Sequence, residues 1–110
     1  MRILVSVIDH ETGGASAQEI VAIDAFNVRL RAEGRLVLAC GISDPSEARV
    51  VDGRGDQEPV FAEGPLHDTK EYVSGFWVLD VGEVTDGEMI AVAAEASRAC
   101  NRRVEVRRLH

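Results

Sequence analysis

The sequence predicts an α+β domain ordered strand, helix, strand, hairpin, strand, helix, strand: a βαββαβ frame with a β-hairpin inserted at its middle. Three observations predict it. Two capping boxes, Ser16-Ala17-Gln18-Glu19 and Thr85-Asp86-Gly87-Glu88, each open a run of helical periodicity. The short segments 2–9, 36–40 and 75–81 are apolar on both faces, as central strands are. A glycine-bearing tip, Gly53-Arg54-Gly55-Asp56, separates two weaker strand-like stretches.

In the first segment Ile3, Val5 and Val7 line one face and Leu4 and Ile8 the other, around Ser6. Asp9 to Gly14 reads as a polar loop. The helix opened by Ser16 runs to about Glu33, where Gly34 supplies a left-handed stop. Ile20, Val21, Ile23, Phe26, Val28 and Leu30 cover most of its circumference, leaving a polar stripe of Asp24, Asn27 and Arg31, so it is expected to be largely buried. That stripe is expected to form an internal ion-pair and hydrogen-bond set, from which one carboxylate could face a cavity between helix and sheet.

The strand Leu36-Val37-Leu38-Ala39-Cys40 closes at Gly41, and Asp44-Pro45 makes a turn. Residues 48–52 and 59–63 form the hairpin, and Pro59 suits a sheet edge. The loop at 64–74 leads into the strand 75–81, on which Phe76 and Val78 point one way and Trp77, Leu79 and Val81 the other. The second helix runs to about Ala99 with a stripe of Met89, Val92, Ala93, Ala96 and Cys100. Arg103 to Leu109 is the last strand, apolar through Val104 and Val106 on one face only.

At 110 residues there is room for one domain, spanning 1–110, and the 45% hydrophobic content supplies a core without disulfides. Cys40 and Cys100 lack short-spaced partners and read as small buried hydrophobes in a reducing compartment, so the chain is expected to be cytoplasmic. Met1 to Asp9 is too short an apolar run to span a membrane and carries no small-residue cleavage site. A net charge of −7 argues against nucleic acid as a partner. Arg98, Arg102, Arg103, Arg107 and Arg108 form a basic run near the end, read as a solvated face or as an anion site for a carboxylate ligand.

Two helices cover only one face of such a sheet. The oily strands at 2–9, 36–40 and 75–81 would then leave several hundred Å² of apolar surface in water, more than soluble monomers usually carry. A homodimer packed through its sheet faces resolves this.

The loop from Glu63 to Glu71 concentrates ionisable groups beside an apolar strand, which suggests a site on a rigid support. His67 next to Asp68 could move protons near neutral pH, and these two are the catalytic candidates. The alternative is that Asp68 and Thr69 cap a turn while His67, Lys70 and Glu71 are solvated. Glu63, Asp68, Thr69 and Lys70, with Asp24 from the helix, are the candidate ligand-binding residues. Asp9 and His10 could line the same pocket or lie exposed. His10, His67 and His110 are too far apart for metal-ligand spacing, and there is no GxGxxG, P-loop or Ser-centred elbow, so neither metal nor cofactor is expected.

Glu63-Gly64-Pro65-Leu66, His67, Asp68-Thr69-Lys70-Glu71 and Ser74-Gly75-Phe76-Trp77-Val78-Leu79-Asp80-Val81 resemble the YCII-related family, in the branch named for its DGPF motif. That branch reads Asp-Gly-Pro-Phe, a variable residue, Glu-Thr-Lys-Glu, then Gly-Gly, two aromatics and an apolar strand ending in an acid. Ala32-Glu33-Gly34 and the ending Val104-Glu105-Val106-Arg107 extend the likeness over nearly the whole chain. The resemblance implies a ferredoxin-like fold dimerising as an α+β barrel. Its relatives include small acid–base enzymes acting on ring-cleavage intermediates, and some DGPF members look associated with sigma-factor systems. Two functions follow as expectations: a lyase- or isomerase-class enzyme on a small anionic molecule, or a non-catalytic ligand-binding or regulatory accessory protein. Glu63 replaces Asp, Leu66 replaces Phe and Asp68 replaces Glu, which reshapes any shared pocket. The helix at 17–33 has no histidine, so the His–Asp pair proposed for catalytic relatives does not carry over.

Overall fold

The structure, a computed structural model, describes residues 1–10 and 14–110. Glu11, Thr12 and Gly13, the middle of the expected polar loop, lie outside the described residues. Among the described residues the order is β1 (Arg2–His10), α1 (Ala17–Ala32), β2 (Leu36–Gly41), a short 3-10 turn (Pro45–Glu47), β3 (Arg49–Asp52), β4 (Val60–Glu63), β5 (Glu71–Asp80), α2 (Asp86–Cys100) and β6 (Arg103–Arg108). This is an α+β arrangement. The four-stranded sheet runs β2-β5-β1-β6 and every neighbouring pair is antiparallel.

Both capping boxes form. Ser16 Oγ accepts the Glu19 amide at 3.1 Å and Glu19 Oε1 accepts the Ser16 amide at 2.8 Å, while Thr85 and Glu88 repeat the pattern at 3.2 and 3.1 Å. Gly34, at φ +73°, makes the left-handed exit from α1. The exit from α2 is Asn101, left-handed at φ 54°, a role asparagine takes because its short amide tolerates that region.

The core lies between the helices and one sheet face. Ile3, Val5, Trp77 and Leu79 from the sheet meet Phe26 and Leu30 from α1 and Val92, Ala96 and Cys100 from α2. Phe26 sets its ring edge-on to Trp77, with centroids 5.5 Å apart and planes at 84°. The helices are further joined by an Arg29–Glu95 ion pair. The opposite sheet face carries Leu4, Phe76 and Val78, only half-buried, and Leu38, which is 48% exposed.

Three expectations are corrected. The helix α1 buries only Phe26 and Leu30, and Val21 and Val28 are exposed. A helix lying on a sheet beside one other helix covers only the stripe that faces them, whatever the hydrophobicity of the rest. Cys40 is exposed, because its position opposite Phe76 puts it on the uncovered sheet face, while Cys100 is buried as expected. Finally, β3 and β4 pair with each other as a separate two-stranded sheet instead of extending the edge of the larger one. The β2 ladder stops just before Pro45, which opens the 3-10 turn under the Asp44 cap.

A register shift between Val7 and Ile8 shapes the far end of the sheet. Val7 faces Gly75, Ile8 faces Val73 and Asp9 faces Tyr72, so Ser74 is the extra residue of a bulge. Strand alternation alone would turn Tyr72 to the uncovered face; the bulge turns it to the helix side with Asp9.

Candidate functional site

The bulge opens a cavity of about 530 Å³ between α1, the ends of β1, β2 and β5, and the residues after β2. Val7, Ile23, Ala39, Ile42 and Trp77 form its apolar wall, and Asp9, Asn27, Asp44, Tyr72 and Arg102 supply polar groups. Gly75 forms part of the floor, where β5 and β2 run close: a Cβ there would stand 3.0 Å from the Cys40 carbonyl oxygen.

An acid–guanidinium–acid cluster closes the polar end. Arg102, the second residue past α2, donates from Nε to Asp9 Oδ1 at 3.1 Å and from Nη1 to Glu19 Oε2 at 3.0 Å and the Asn101 carbonyl at 3.0 Å. All three side chains are largely buried, at 10–18% exposure. The cluster ties together the end of β1, the first turn of α1 and the start of β6. Glu19 therefore does two jobs, capping α1 with one oxygen and taking Arg102 with the other.

The electrostatics follow from those contacts. The Ser16 amide, then the Asn101 side chain and Arg102, hold the Glu19 carboxyl down at about 2, against the opposing effect of burial. Burial pushes the Tyr72 phenol up, and the carboxylates of Asp9 and Asp44 push it further, so it is a neutral phenol at physiological pH. Burial disfavours the Arg102 cation, but its bonds to Asp9 and Glu19 outweigh that and raise its pKa. On the wall, the Trp77 indole N–H donates to Asn27 Oδ1 at 2.7 Å, fixing the ring across the α1–β5 junction.

The residues singled out in sequence sit elsewhere. Glu63 ends β4, and His67, Asp68 and Lys70 stand exposed in the connection to β5. Thr69 Oγ1 donates to the Glu71 carbonyl at 2.7 Å, ordering that connection. Asp24 is exposed on α1, and of its polar stripe Asn27 is the member that reaches the cavity. None of Glu63, His67, Asp68, Thr69, Lys70 or Asp24 lines the cavity, whose boundary on β5 begins at Tyr72. Asp9 does line it; His10 is exposed. Of the basic run, Arg103 pairs with Glu71, Arg107 with Glu105 and Arg108 with Asp86 at the surface, and Arg102 alone reaches the cavity. The signal for Arg102 was its place directly after a left-handed cap, where the chain turns back under the first helix.

Among the described residues, no group of three or more His, Cys, Asp or Glu is placed to hold a metal, and no helix is long and apolar enough to cross a membrane. No protein-family model matches the chain, and no curated protein matches it in sequence.

Proposed function

We propose that the chain is a small-molecule-binding protein of the YCII-related type, with the Trp77–Asp9–Tyr72 cavity as its site. The observation that carries this reading is the combination of a ring-sized apolar wall with a polar end already fixed by protein contacts. The His67–Asp68 pair, the catalytic candidate from the sequence, lies outside that wall. Acid–base catalysis is the second reading, favoured by one observation: Asp9 and Tyr72 face each other in register at the cavity. A fragment screen by ligand-observed NMR, followed for hours, separates the two. Binders recovered unchanged support the first reading and converted binders the second. Binders displaced by substitutions at Asp68 or Lys70, but not at Asn27, would overturn the choice of site.

The sheet order β2-β5-β1-β6, antiparallel throughout, supports a ferredoxin-like assignment. The uncovered strip of Leu4, Leu38, Phe76 and Val78 supports pairing of two copies, sheet to sheet, as a dimeric α+β barrel. Light scattering reads that directly: a single-chain mass at high micromolar concentration would remove it. The two free thiols support a reducing, cytoplasmic setting, and the −7 charge supports a role away from nucleic acid.

A further inference from the structure

The charge carried by the cavity points to the class of molecule it takes. Among the described residues the charged side chains lining the cavity are Asp9, Asp44 and Arg102, and Arg102 also gives its charge to Glu19, outside the lining. Arg102 is turned toward the protein: Nε is bonded to Asp9, and Nη1 to Glu19 and the Asn101 carbonyl. An entering anion would have to displace those carboxylates and then sit beside them. An entering cation joins Asp9 beside the bonds its Oδ1 already accepts from Arg102 and the His10 amide, at a carboxylate only 7% exposed, where charge attraction is weakly screened. It also meets the Tyr72 side chain, which stands in register with Asp9 across the strands and lines the cavity. From that end the wall continues through Val7, Ile23 and Trp77, which suits an uncharged, flat or branched body.

We infer that the cavity selects a small cationic amine with an apolar, ring-sized body, its ammonium at Asp9, Tyr72 and Asp44 and its body against Trp77. This rests on the cavity being the binding site, and it replaces the anionic ligand that the basic run suggested: Arg102, Arg103, Arg107 and Arg108 each already have carboxylate partners.

Trp77 is the chain's sole tryptophan and lines the cavity, so its fluorescence reports occupancy. The test titrates the full chain with 2-phenylethylamine, 2-phenylethanol and phenylacetate, which share a ring and differ in the charge of the head. The amine is expected to bind at least about tenfold more tightly than the alcohol, a difference of ~1.4 kcal/mol, with the carboxylate weakest. Because the Asp9 contact is buried, added salt should weaken the amine only slightly and leave it ahead of the alcohol. In Asp44→Asn, and in Asp9→Asn if it folds, the amine's advantage should shrink; the order of the three probes tests the inference without any variant. A carboxylate or alcohol binding as tightly as the amine overturns the inference and leaves the cavity as a binding site. No response of Trp77 to any of the three at millimolar concentration removes both the inference and the small-molecule reading.

Discussion

The hydrogen bond from Trp77 Nε1 to Asn27 Oδ1 gives the sharpest test of how the cavity wall is built. It is 2.7 Å long and joins α1 to β5 at a ring that is 3% exposed. Asn27→Leu keeps the size of the side chain and removes the acceptor, leaving a buried indole N–H without a partner. That is expected to cost about 1–3 kcal/mol. In a domain near this size, each kcal/mol lowers Tm by roughly 4 °C. Asn27→Asp keeps an oxygen in place and should lose less than half as much. Trp77→Phe removes the donor, so Asn27→Leu made in that background should cost close to nothing, a coupling of about 1–3 kcal/mol between neighbours. The assay is urea unfolding followed by far-ultraviolet circular dichroism, which does not need the tryptophan, at one fixed protein concentration so that self-association does not enter. If Asn27→Leu costs the same with Trp77 and with Phe at position 77, the hydrogen bond is not what Asn27 contributes and the reasoning fails.

Glu19 makes a pH-dependent contribution whose sign is fixed. Its folded carboxyl is held from an ordinary 4.5 down to about 2, so the stabilisation is full above 4.5 and is lost as pH falls toward 2. Urea midpoints of the native chain and Glu19→Gln should therefore differ most near neutrality and converge across that window; a constant gap would contradict it. Iodoacetamide should alkylate Cys40 in the folded chain and reach Cys100 only on unfolding, since Cys100 is 4% exposed and burial raises its thiol pKa. If two copies pair through the uncovered sheet face, Cys40 labelling should also slow as protein concentration rises, and a rate independent of concentration speaks against that pairing. Gly75→Ala forces a Cβ to within 3.0 Å of the Cys40 carbonyl oxygen and 3.4 Å of Gly41 Cα, and should cost about 1–3 kcal/mol by thermal unfolding. Gly14→Ala, with nothing within 4 Å among the described residues, should change little, and equal effects would show that the β2–β5 approach is not tight.

Much of the fold was legible because local chemistry wrote it. Ser16, Thr85 and their glutamates set where each helix starts, and those contacts span only three residues. Gly34 ended α1 for the same local reason, a backbone conformation few other residues take. The apolar doublets of β1 and β5 marked central strands, and the facing of Trp77 and Leu79 away from Phe76 and Val78 followed from alternation. The site was less legible. The ionisable cluster at 63–71 drew attention, but charge in a loop is usually charge in water, and those side chains stand exposed.

From residue order alone came two helices with their starting points, the strands with their two faces, and the hairpin. All of these depend on neighbours a few positions apart. The tertiary structure alone decided that Ser74 bulges, that Tyr72 therefore joins Asp9 inside, and that Arg102 reaches back across 93 positions of chain to Asp9. A bulge is a choice between two strands and an ion pair is a meeting of distant ones. Neither leaves a periodic trace in either segment read by itself.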